Sequence, residues 1–217
     1  TLMFMIGGVD YEKVKAFRKE VGDHKMEKVW KKAQDDGFMR PFQTQIMGWW
    51  WTPTRPDWVG INFTHILNVD ARKAADLTHA TMEGRRQAYE TIAVYRKYVP
   101  GMENCYMLST PNTVGIRESR RIHGDYKLTK GDLMAEKEFA DSVGYGSFFI
   151  DIHNTTGPGM DKKTYHPPKG FKYQIPYRIL VPKGVENLLV TGRCASTDHE
   201  ALGSLRVMPQ CGIMGQA

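Results

Sequence analysis

The sequence predicts a mixed α/β fold, α+β within this segment, and three observations carry the prediction. Short apolar runs at residues 2–6, 148–150 and 188–190 have the length of buried strands. Longer stretches place apolar residues at three- and four-residue steps, the period of a helix face. The C-terminal part reads strand, polar loop, helix start: residues 188–190 run to Gly192, a loop holds Ser196, Thr197, Asp198, His199 and Glu200, and Pro209 sits where a helix can begin. Free amides at such a helix start favour negative charge and electron-rich ligands.

Bulk properties remove several function classes. The chain has 217 residues, enough for one or two domains, and its 41% hydrophobic and 25% charged content is that of an ordinary globular protein. No apolar run reaches the roughly 18 residues of a membrane span, and no signal peptide opens the chain. The net charge is +6, but lysines and arginines alternate with acids, which predicts a solvated basic surface and no nucleic-acid partner. Cys105, Cys194 and Cys211 have no metal-ligand spacing and read as reduced structural thiols, so no metal site is expected. Thr1 to Val9 reads as an interior strand, and Ala217 falls in a helix that has barely begun. The chain is therefore expected to be a fragment of a longer one.

Taken in order, residues 2–6 form a strand and Gly7-Gly8 a turn. Asp10 caps a helix with Val14, Phe17 and Val21 on one face. A second amphipathic helix carries Met26, Val29, Trp30 and Ala33 and ends at Gly37. Residues 42–52 and 59–69 are strand-like. Trp49, Trp50 and Trp51 end the first of these, and they read either as packing or as a ring wall beside a ligand. His65 lies in the second, as a polar neighbour or as a catalyst. Residues 76–99 give the clearest helix, with Leu77, Thr81, Gly84, Ala88, Ile92, Tyr95 and Val99 in one stripe. Gly84 within that stripe predicts a close approach by another element.

Residues 104–109 form a strand that leads into Gly115-Ile116-Arg117-Glu118-Ser119-Arg120-Arg121-Ile122. If extended, this segment puts Arg117, Ser119, Arg121 and His123 on one face and Glu118 and Arg120 on the other. Buried unpaired charge is costly, so the arginines need partners. Two readings stand: an Arg–Glu network tying layers together, or a positive pocket that grips an acidic or hydroxylated substrate. Thr129 with Asp132 resembles a capping box and starts a helix through Leu133, Met134 and Phe139. Residues 147–152 read as a strand, after which Asp151 and His153 share a face, so the carboxylate can orient the imidazole. Residues 155–170 form a loop.

The C-terminal residues resemble a known family. Thr191-Gly192-Arg193, Thr197-Asp198-His199-Glu200, Ser204-Leu205-Arg206-Val207-Met208-Pro209-Gln210-Cys211 and Met214-Gly215-Gln216-Ala217 are similar to the flavin-contacting end of the FAD-dependent oxidoreductases of the glutathione-reductase-like superfamily. Residues 115–122 are similar to a family segment near flavin and substrate. Asp198, between Thr197 and His199, departs from the pattern. The resemblance implies a mixed-sheet substrate domain at 1–174 and, at 175–217, the closing strand and helix start of a Rossmann-like FAD-binding domain. It implies FAD as cofactor, with Gly192, Arg193, Ser204, Arg206, Val207, Pro209, Gln210 and Cys211 on the flavin side. The unperturbed pKa of an imidazole makes His199 the expected proton-transfer group, with Glu200 orienting or replacing it, unless His199 is simply ion-paired at the surface between Asp198 and Glu200. Arg117, Arg121 and His153 are expected to hold a small-molecule substrate. The phosphate-cradling Gly-x-Gly-x-x-Gly turn of the family lies upstream of these residues. This chain alone is therefore expected to hold FAD weakly or not at all, and to have the rest of a parent chain as its partner. The function expected is hydride transfer between flavin and a small hydroxylated or acidic substrate. The alternative is a non-catalytic carbohydrate- or protein-binding module built on the three tryptophans.

Overall fold

In the computed structural model, which describes residues 1–217, the N-terminal apolar run forms β1 (Phe4–Gly7). Asp10 caps α1 (Tyr11–Val21) by accepting a hydrogen bond from the Lys13 amide, and Gly22 ends it in the left-handed conformation. α2 (Glu27–Asp35) follows, burying Val29, Trp30 and Ala33. β2 (Gly48–Thr52) and β3 (Arg55–Asn62) are shorter than or displaced from the expected strands. Residues 63–69 leave the sheet, because Thr64 and His65 are tied to other segments. Thr64 Oγ1 accepts from the Leu2 amide and donates to the Leu2 carbonyl, and Gln87 bonds both the amide and the carbonyl of His65. α3 (Ala74–Tyr98) and β4 (Tyr106–Ser109) complete the set.

The four strands form one antiparallel sheet in the order β2-β3-β1-β4, with Phe4 opposite Ile61 and Ile6 opposite Val59. These residues are buried, and with Trp30, Phe63 and Tyr95 they make the core of a first unit, residues 1–116 and 155–159. Trp30 stacks on Phe63 at 4.1 Å between ring centres. Gly84 allows the close approach expected of it, since a Cβ there would lie 2.8 Å from Leu2 Cβ. Trp49 and Trp51 pack against this core, and only Trp50 is half exposed. Packing thus accounts for most of the tryptophan cluster.

A second unit comprises residues 117–154 and 160–217. Thr129 and Asp132 form the expected capping box of α4, but α4 (Lys130–Met134) stops five residues short of Phe139. β5 (Ser142–Gly146) pairs antiparallel with β6 (Tyr173–Pro176). The domain boundary expected at 174/175 would cut through β6, whereas the units part at 116/117. Residues 147–152 do not form the expected strand. Ile150 alone exchanges backbone bonds with Tyr165, an isolated bridge. Residues 188–190 are not a buried strand either. Leu188 and Leu189 are about half exposed (48% and 47%), and the Val190 amide bonds the Leu180 carbonyl.

The expected polar loop at 196–200 is interrupted by α5 (His199–Leu205), and α6 (Met208–Gln216) starts with a proline in its first turn, as expected. Leu128, Leu133, Ile150, Tyr173, Ile175, Ile179, Leu205 and Met214 belong to the core of this unit. No helix of the chain is long and apolar enough to cross a membrane.

Candidate functional site

Apart from His65, which lies in the first unit, the candidate catalytic residues lie in the second unit, most of them in two groups. The first is centred on Asp151. Glycine at position 203 lets α5 press against the 151–152 backbone, because a Cβ there would sit 3.1 Å from the Asp151 carbonyl oxygen. Arg206, just past the end of α5, donates through Nη2 to the Asp151 carbonyl at 2.9 Å and to Asp151 Oδ2 at 2.8 Å. Arg117 Nη1 donates to the same Oδ2 at 2.9 Å. His153 Nε2 lies 3.4 Å from Asp151 Oδ1, the contact expected from the Asp-x-His spacing.

The group is largely buried, with the side chains of Asp151 and Arg206 each 11% exposed. Burial alone raises the Asp151 carboxyl. The hydrogen bond with His153 and the charges of Arg117 and Arg206 outweigh it and hold the group at about 2. Burial pushes the His153 imidazole down, as do the two arginines, against the opposing pull of Asp151. His153 is therefore neutral at pH 7, and two guanidiniums face one carboxylate. The group carries excess positive charge in a site where water screens it poorly.

The second group is built on His199, the first residue of α5. Asp198, the apparent insertion in the sequence, is the N-cap: Oδ1 accepts from the Ala201 amide at 2.7 Å, and Oδ2 from the Lys130 amide at 2.9 Å. With the helix start fixed, His199 Nδ1 lies 2.6 Å from Glu118 Oε2, and Glu118 Oε1 pairs with Arg121 Nη1 at 2.6 Å. A carboxylate only accepts, so in the neutral ring Nδ1 carries the hydrogen and Nε2 keeps its lone pair.

Two sequence expectations change here. The residue that orients His199 is Glu118, 81 positions away, and not Glu200, which pairs with Lys163 at 3.2 Å. Arg117 and Arg121 do not share one face: Arg117 joins Asp151, and Arg121 joins Glu118. The segment is irregular rather than a strand, so two-residue alternation fails and Glu118 meets Arg121 three positions on. Arg121 also lines a cavity of about 650 Å³ with Lys127, Lys183 and Thr197, none of which the sequence singled out as a binding residue.

The residues expected beside the flavin lie mostly together. Gly192, Arg193 and Cys194 form a 3₁₀ turn packed against α6. Gly192 has φ +76°, and a Cβ there would sit 3.9 Å from Cys211 Sγ. Val207 caps α6 without a side-chain bond, and Pro209 and Gln210 occupy the first turn. Ser204 is fully buried, with its hydroxyl bonded to the Phe148 carbonyl at 2.6 Å and 2.9 Å from the Tyr173 hydroxyl, so it anchors α5.

A family model described as FAD dependent oxidoreductase matches residues 1–217. The chain belongs to that family. No curated protein and no solved structure matches it. Membership makes the protein an FAD-binding flavoprotein with an oxidoreductase's chemistry. The first turn of α6 fits that cofactor in its donor set. The Met208 and Gln210 amides have no partner within the helix, and Gln210 Oε1 is buried without a hydrogen-bond partner. Amide donors beside an orphaned acceptor match the pyrimidine edge of a flavin, which presents carbonyl oxygens, a ring nitrogen and one N–H.

Proposed function

We propose that the flavoprotein moves a hydride between flavin and a small hydroxylated or acidic substrate. The observation that carries this reading is the Arg121–Glu118–His199 relay, in which a carboxylate fixes the imidazole tautomer and leaves Nε2 available. FAD, when bound, supplies the hydride and electron transfer. Gly192, Arg193, Val207, Pro209, Gln210 and Cys211 would line its ring side. Arg206 acts from behind, by holding Asp151.

The residues of this chain handle the proton. In the direction of oxidation, His199 Nε2 takes it from the substrate hydroxyl as the C–H bond gives up its hydride and the C–O bond becomes a carbonyl. The imidazolium so formed is stabilised by Glu118. Arg117 with neutral His153 supplies positive charge and hydrogen bonding to a carboxylate or hydroxyl of the substrate, with Asp151 holding both in place.

The test is anaerobic mixing of the flavin-loaded parent chain with polyols, sugars and hydroxy acids while the flavin absorbance is followed. A substrate of this class bleaches the flavin. His199→Ala slows the bleaching by roughly 10²- to 10⁴-fold, the usual worth of a general base. Glu118→Gln slows it less. Bleaching by no alcohol or acid, or bleaching at an unchanged rate in His199→Ala, rejects the reading.

A further inference from the structure

The second unit contains a cavity of about 650 Å³ lined by Ser119, Arg121, Ile122, His123, Lys127, Lys183 and Thr197, with Gly124 and Ser196 completing it. That volume is in the range of small-molecule sites. No carboxylate and no benzene or indole ring stands among the lining residues, and Ile122 is the one aliphatic side chain. Lys127 and Lys183 take part in none of the ion pairs of this unit. Thr197 is 3% exposed, and its Oγ1 has no hydrogen-bond partner.

Backbone bonds fix the walls. The Ile122 amide donates to the Cys194 carbonyl at 2.9 Å, the Lys183 amide to the His123 carbonyl at 2.8 Å, and the Leu128 amide to the Ser196 carbonyl at 3.0 Å. The backbone carrying the three cations is therefore fixed before any ligand arrives, and Glu118 offsets only Arg121, which leaves two lysines with no ion-pair partner beside the cavity.

The geometry points to a binding site for a multiply charged oxyanion, the phosphate or clustered carboxylates of a small polar molecule. Lys127, Lys183 and Arg121 supply the charge, and the buried Thr197 hydroxyl supplies a directed hydrogen bond. Arg121 also pairs with Glu118, so a substrate anchored here by its anionic end has its remainder near the His199 relay. That last step rests on the proposed function, whereas the anion site does not.

Isothermal titration of the protein with inorganic phosphate, pyrophosphate and citrate tests the site without flavin or turnover. Hence it stands if the hydride-transfer reading fails, and it can fail while that reading stands. One equivalent binds, more weakly as salt is raised. The Lys127→Met/Lys183→Met double variant weakens binding at least about tenfold, or about 1.4 kcal/mol. Thr197→Val weakens it a few-fold, and Arg72→Ala, which removes an exposed cation of the first unit, leaves it unchanged. Preference for the phosphates or for citrate assigns the source of the charge. No binding by any of the three, or equal binding by the double variant, overturns the proposal.

Discussion

In the first unit the buried polar side chains other than His65 are uncharged amides and hydroxyls, and they splint the backbone. Gln87 bonds both the amide and the carbonyl of His65, Thr64 does the same for Leu2, and Gln43 Oε1 accepts from the Thr44 and Gly159 amides. Its charges stay nearer water, as in Arg40, 41% exposed between Glu83 and Glu90. The second unit buries charge instead, with Asp151 between Arg117 and Arg206. The contrast follows from backbone content. A four-stranded sheet and a 25-residue helix satisfy their own amides in the first unit, whereas the second has short elements and long irregular connections. A buried ion cluster is a poor way to gain stability, because desolvation consumes most of the attraction. Under the proposed function, the cluster serves as a source of positive charge rather than of rigidity.

The largest expected effect tests that contrast directly. Asp151→Asn leaves two buried guanidiniums without their carboxylate and destabilises the second unit by about 3–5 kcal/mol. Gln87→Leu in the first unit strips hydrogen bonds from one buried residue and costs about 1–3 kcal/mol. Hydrogen exchange read on peptides from each unit measures both. If Asp151→Asn costs no more than Gln87→Leu, the ion cluster is not the feature that separates the two units.

A smaller effect appears on acidification. In the folded chain the Asp151 carboxyl sits at about 2 against an ordinary 3.8, so the ionised form is favoured by folding. That stability is complete above about pH 4 and is lost as pH falls towards 2. It amounts to about 2 kcal/mol. His153, pushed below its ordinary 6.5, acts with the same sign: folding favours the neutral imidazole, and stability declines as pH drops below 6.5. The second unit therefore loses protection in acid in two stages. A first unit that opens before it in a pH series of hydrogen exchange contradicts this assignment.

What the sequence disclosed, and what it withheld, follows the same division. The stripe on α3, the Asp10 cap, the close approach at Gly84 and the Thr129–Asp132 box were all legible, because each is a local pattern that the backbone geometry reads directly. In the second unit a period-two reading of residues 115–123 assumed a strand that does not form. That reading sets Glu118 and Arg121 on opposite faces, whereas they form an ion pair, and adjacency alone points from His199 to Glu200. Residues 188–190 misled for a related reason: an apolar run specifies a strand only where neighbours supply a ladder. The Asp151–His153 contact was readable because two residues suffice to set it. Glu118 and His199 lie far apart in the chain, and no local pattern joins them.

Asp198 gives the smallest expected effect and sharpens the comparison most. Its position in the sequence looks like an intrusion into a family motif, yet its carboxylate caps α5 through the Ala201 amide and also holds the Lys130 amide at the start of α4. Two short helices of the second unit thus share one side chain, the kind of splint the first unit builds from neutral groups. Asp198→Ala costs about 1 kcal/mol as a lost N-cap. Asp198→Asn retains an acceptor for Ala201 and recovers most of that loss. Because α5 carries His199, the alanine variant also loosens the imidazole from Glu118. Flavin reduction then slows by more than the stability loss explains, while substrate binding stays close to wild type. A rate equal to wild type in the folded alanine variant would show that Glu118 alone positions His199 and that the cap serves the fold only.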